Sequence, residues 1–179
     1  MLRRSRRPDP LASASRRLHE LLVARARDPI FHTDFAVPDT IDGRFDLLAL
    51  HAFLVLDALK SQGDAGGKLG TELASVIFAG FDQALRELGV GDFGISRRMK
   101  ALAGAFYGRL EAYRAADSAR QLAPVLLRNI YRGDVARAHE AAMLAHYVLS
   151  ARGRLMGHAA DLLQGNADFG PLPNCESKP

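Results

Sequence analysis

Apolar residues recur at intervals of three and four along nearly the whole chain, and strand-like alternation is scarce. Leu11 to Arg27 forms a first amphipathic helix through Leu18, Leu21 and Leu22, ending before Asp28 and Pro29. The stretch IFHTDFAVPDT reads as a loop between Pro29 and Pro38, pinned to the core by Phe31 and Phe35. Thr40 or Asp42 caps a second helix that runs to about Lys60. Gly63 to Gly67 then reads as a flexible connection, and Thr71 opens a third helix that closes at Gly89. Val90 to Ile95 is expected to be a glycine turn, with Ser96 capping a fourth helix through Met99, Leu102, Phe106, Leu110 and Tyr113. A fifth spans about Ser118 to Arg132, with Pro124 either kinking it or delaying its start. Asp134 caps a last helix to about Leu163, with Gly153 and Gly157 as points of interruption.

The expected fold is therefore all-α, a single-domain bundle of about six helices over residues 11–165. A basic arm, residues 1–10, precedes it. A tail, residues 166–179, follows and is ordered where Phe169 docks.

Two helices depart from simple amphipathicity. The second is apolar along both the Leu47, Leu48, Leu54, Val55 stripe and the Phe45, Ala49, Ala52, Leu56 stripe, which suits the centre of a bundle. His51 on that helix reads first as a hydrogen-bonded core histidine, since no second metal ligand lies at a suitable spacing. The fourth carries small residues at Ala101, Gly104, Ala105, Gly108 and Ala112. Interior helical glycine costs ~1 kcal/mol against alanine, so the expectation is close approach of another helix, most simply one inside the domain.

Bulk properties add limits. The chain has 179 residues, 48% hydrophobic and 25% charged, which is ordinary for one globular domain. Its one cysteine, Cys175, permits no disulfide within the chain. No apolar run reaches the ~20 residues of a membrane span; the best, Phe45 to Leu59, is broken by Asp46, His51 and Asp57. The net charge of +4 conceals segregation. Residues 1–27 hold eight arginines and two acids, 28–94 hold four bases and eleven acids, and 95–154 hold eleven bases and four acids. Such blocks either meet one another in the fold or serve anionic surfaces such as RNA or lipid headgroups.

Enzyme signatures are absent. His139 and Glu140 begin an HExxH-like string, but Met143 stands where the second histidine belongs. His139, Met143 and His146 share a helical face, a thin basis for a haem carrier. Neither the glycines of 63–70 nor GVGDFG follows a strand, so neither is a nucleotide loop. Asp39, Asp42 and Asp46 gather near a helix N-terminus and complement its dipole.

The segments DTIDGRFDLLALH, from Asp39, and AFYGRLEAY, ending at Tyr113, are more distinctive. They resemble the ubiquinol–cytochrome c chaperone family, whose members help assemble the respiratory bc1 complex. The family-motif positions are Asp39, Asp42, Gly43, Phe45, Gly91, Asp92, Gly108 and Tyr113. The resemblance implies a helical, non-enzymatic chaperone without a cofactor that binds newly made cytochrome b. It also implies contact with the ribosome, or with the membrane surface through the N-terminal arginines, and a companion chaperone. The partner surface is expected around Arg44, His51, Phe106, Tyr107 and Arg109. The first helix begins almost at once, which points to a bacterial member in the cytoplasm, near the inner membrane. The alternative reading is a basic helical module for RNA or anionic lipid.

Overall fold

The computed structural model describes residues 9–172, apart from the side chain of Phe93. The arginines at positions 3, 4, 6 and 7 and Cys175 lie outside that range. Among the described residues there is no strand. The elements are α1 (Pro10–Ala26), α2 (Ile30–Thr33), α3 (Ile41–Leu59), α4 (Gly63–Glu87), α5 (Asp92–Arg114), α6 (Ala119–Asn129), α7 (Ala138–Gly157) and α8 (Ala159–Leu162). The all-α fold with six substantial helices is as the apolar periodicity requires.

Local chemistry sets the starts and stops. Asp9 accepts from the Leu11 amide at 3.0 Å and caps α1, with Pro10 in the first turn where its missing N–H costs nothing. Thr40 rather than Asp42 caps α3, its hydroxyl accepting from the Gly43 amide at 3.1 Å. Ser118 caps α6, so the helix starts where its cap lies and Pro124 is carried within it.

Three boundaries differ from expectation. The supposed flexible connection at Gly63 to Gly67 is the first turn of α4, reached from α3 by a 3-10 turn at Lys60–Gln62. Gly63 turns the corner at φ +56°, and Gly66 lies so close to Leu59 that a Cβ would sit 1.9 Å from its carbonyl oxygen. These glycines serve close packing rather than flexibility. Likewise α5 begins at Asp92, four residues before Ser96, because the Gly94 and Ile95 amides already bond the Gly91 carbonyl. Within the loop 30–40 a single helical turn, α2, lowers Phe31 and Phe35 into the core, where both are fully buried. The final helix is interrupted at His158, beside Gly157.

Helix α3 is the axis of the bundle, touching α1, α4, α5, α7 and α8. Thirteen of its nineteen residues are buried, which is why it carries two apolar stripes instead of one. Around it, α6 and α7 pack as a pair, as do α1 and α4. Phe169 returns from the tail to meet the His51 ring edge-on at 5.4 Å.

Candidate functional site

The first family-motif segment is a corner. Gly43 is buried against the chain that enters α3, and a Cβ there would lie 2.0 Å from the Pro38 carbonyl oxygen, so only glycine fits. Asp39 and Arg44 form an exposed pair at 2.7 Å, and Asp42 is exposed. Phe45 is half-buried between the Phe81 ring at 5.4 Å and the Arg109 guanidinium at 5.2 Å.

Beneath Phe45 lies Asp46, fully buried with a charge that cannot go unmatched. Arg109 donates to its Oδ1 at 2.9 Å, and Arg132 places Nη1 2.8 Å from Oδ2, an ion pair off the hydrogen-bond direction. Burial raises the Asp46 pKa and the two arginines oppose it. Arg132 reaches this position from a backbone at φ +57°, left-handed for a residue with a side chain. That conformation costs about 1–2 kcal/mol, offset here by the pair with Asp46. A second buried carboxylate, Asp57, stands one-sided on the same helix, held by Arg114 at 3.1 Å and Arg152 at 2.9 Å. The acidic and basic blocks of the sequence therefore meet in part, with α3 supplying the acids.

His51 is not a surface residue. It is fully buried, its Nδ1–H donating to the Leu47 carbonyl at 2.7 Å and its Nε2 accepting from the Tyr147 hydroxyl at 2.9 Å. Arg25 in turn donates to that hydroxyl at 2.9 Å. Burial, aided by the Arg25 charge and opposed by the Leu47 hydrogen bond, lowers the His51 pKa to about 4. Phe106 is likewise buried at 0% exposure, edge-on to Phe78 and Tyr107. Both belong to the core, which corrects their placement on a partner surface.

Tyr113 is also buried, and burial raises its pKa; its hydroxyl stands beside Asn129, but neither group completes a hydrogen bond. Gly104 and Gly108 are exposed, with open space where a Cβ would be. The small-residue stripe is thus not a seam between helices of this domain. Gly91 and Asp92 form the N-terminus of α5, where Asp92 pairs with Arg86 at 3.0 Å.

What remains accessible is organised by a cleft of about 900 Å³ between α1, α3, α4 and α5, closed at one end by α6. Val23, Phe45, Leu48, Ile77, Phe81 and Leu102 give it an apolar interior. Its edge carries Arg27, Arg44, Arg98, Arg109, Arg128 and Arg132. Of the expected partner residues, the cleft gathers Arg44 and Arg109, while Tyr107 is 49% exposed but outside it. From the small-residue stripe, Ala101 and Ala105 face the cleft. The contributions of α1 and α4 went unrecognised in the sequence. Phe81, Leu85 and Leu88 continue the Leu73 and Ile77 stripe at spacings of four and three, so periodicity does not separate the groove-lining end of α4 from its core-facing part.

His139 and His146 are exposed on α7 and Met143 packs partly against the core. Among the described residues no three His, Cys, Asp or Glu side chains converge as metal ligands. No described helix is long and apolar enough to cross a membrane.

Fold and cleft together define an all-helical protein with an apolar groove edged by arginine. The family model described as Ubiquinol-cytochrome C chaperone matches residues 33–169, and the chain belongs to that family. A crystal structure of the Cbp3 homolog from Brucella abortus superposes with a TM-score of 0.80 at 40% identity, covering 89% of this chain and 90% of that one. No curated protein matches the chain. Membership carries a ubiquinol–cytochrome c chaperone role.

Proposed function

We propose that the chain is a non-enzymatic assembly chaperone whose cleft holds an apolar segment of newly made cytochrome b during bc1 biogenesis. The observation that carries this reading is the open apolar groove of about 900 Å³ with large apolar side chains left exposed at its mouth. Grooves of this kind receive an amphipathic helix by its apolar face. Burial supplies most of the affinity at ~25 cal/mol per Å² of gross area, offset by the cost of ordering. In the family resemblance, a companion chaperone and the ribosome or membrane surface are further partners, the latter through the N-terminal arginines.

Arg109 orients through the architecture, since it holds Asp46. It is therefore a poor probe of binding alone. Ala101 is exposed and faces the cleft, so Ala101→Trp fills the groove from its open side. Affinity capture with tagged full-length protein is expected to recover newly made cytochrome b with wild type and with Tyr107→Ala, but much less with Ala101→Trp at an unchanged melting temperature. Equal recovery by Ala101→Trp refutes the cleft as the site. No recovery by wild type refutes the client assignment.

A further inference from the structure

The edge of the cleft is charged in one sense. Among the described residues, Asp42 is the one carboxylate lining it, against six arginines. Three of those arginines are already committed: Arg44 to Asp39, and Arg109 and Arg132 to Asp46. The other three, Arg27 just past the end of α1, Arg98 on α5 and Arg128 on α6, are exposed and have no carboxylate within pairing distance among the described residues. They stand on three different walls of the groove.

A wholly apolar occupant would cover these cations without matching them, and an unpaired charge removed from water is costly. Carboxylates on the occupant remove that cost and set its orientation. The exposed apolar residues decide what kind of occupant this is. Ile41 is 69% and Leu88 59% exposed, both at the mouth of the cleft. An acyl chain lying inside the groove leaves them in water. A helix, ~10–12 Å across, fills the groove and overlaps its lips.

Resting on the cleft reading above, we infer that the cleft recognises an apolar helix bearing acidic side chains along its edge, paired with Arg27, Arg98 and Arg128. The partner's chemistry is thus amphipathic and anionic. Apolar area holds it in the groove, and the three arginines select it and fix its direction.

The test uses the full-length protein and three fluorescein-labelled helical peptides. All carry the same leucine and alanine face, with three edge positions occupied by glutamate, glutamine or lysine. Anisotropy titration is expected to give about tenfold tighter binding for the glutamate peptide than for the glutamine one, each edge pair contributing a factor of about two. The preference should fade with added salt. The combined Arg27→Glu, Arg98→Glu, Arg128→Glu variant, whose changes lie at exposed unpaired positions, should reverse it and favour the lysine peptide. Equal binding of all three peptides, abolished by Ala101→Trp, overturns the charge inference while leaving the cleft reading in place. Failure of every peptide to bind overturns it as well, and cytochrome b capture then decides the cleft reading separately. Binding of phosphatidylglycerol vesicles by wild type and not by the triple variant, without glutamate-peptide binding, assigns the edge to lipid and also overturns it.

Discussion

Acid is expected to weaken this fold through one side chain, His51. The imidazole is buried in its neutral form, donating to Leu47 and accepting from Tyr147, with Arg25 behind the hydroxyl. In the unfolded chain it takes up a proton near 6.5, whereas in the folded protein it resists protonation until about 4. Between those values the unfolded state binds more protons, so stability falls as pH falls. At ~1.4 kcal/mol for each pH unit, the interval amounts to about 3 kcal/mol when complete, and about 2.5 kcal/mol by pH ~4.5. For a chain of this length that corresponds to a melting temperature lower by roughly 5–10 °C. Urea unfolding followed by circular dichroism, at pH ~8 and ~4.5, reads the effect in wild type and in His51→Gln. Glutamine can donate and accept in the same directions but does not titrate. Carboxylates, including Asp46 with its raised pKa, contribute equally to both proteins and cancel in the comparison. The wild type should lose about 2.5 kcal/mol more than the variant. Parallel losses would refute the argument, and would mean that the His51 site opens to water before the fold does.

Three further outcomes test the packing. Asp57→Ala strips the shared partner from Arg114 and Arg152; with both arginines partly in solvent, the expected cost is about 2–3 kcal/mol, read as a lower urea midpoint at unchanged slope. Gly66→Ala, whose new methyl would fall on the Leu59 carbonyl, should lower the melting temperature clearly. Gly108→Ala, entering open space on an exposed helix face, should raise stability by up to ~1 kcal/mol; a matching fall in both glycine variants would contradict the described packing.

Most helices could be read in the sequence because their apolar spacing is local information. Phe31 and Phe35 could also be placed, since two aromatics in a proline-bounded loop have nowhere else to go. The small stripe of α5 shows where local information was available but overlooked. Gly104 and Gly108 each lie two residues from Phe106, and two residues along a helix turn by about 200°, so they sit opposite the buried face. His51 was ambiguous in another way: its neighbours at helical spacing are apolar, which suits a core site and a greasy groove alike. The cleft itself was out of reach. Its walls combine Val23, Leu48, Ile77 and Leu102, and Asp46 finds Arg109 and Arg132 far along the chain. No spacing rule encodes such meetings.

The two carboxylates of α3 also decide how α5 is mounted. Asp46 and Asp57 grip it at Arg109 and Arg114, and Phe106, Leu110 and Tyr113 bury the same half. Before Phe106, Ile95 is its one buried side chain among those described. The first half of the helix, with Arg98, Ala101 and Ala105, is one jaw of the cleft, and its far end is tied to α4 by the Asp92–Arg86 pair and the short turn between the two helices. The opposite jaw, α4, carries Leu69, Leu73 and Ile77 in the core. One end of α5 is thus seated on α3 through buried carboxylates and the other is joined to the facing jaw, so the width of the cleft follows from how a single helix spans two supports.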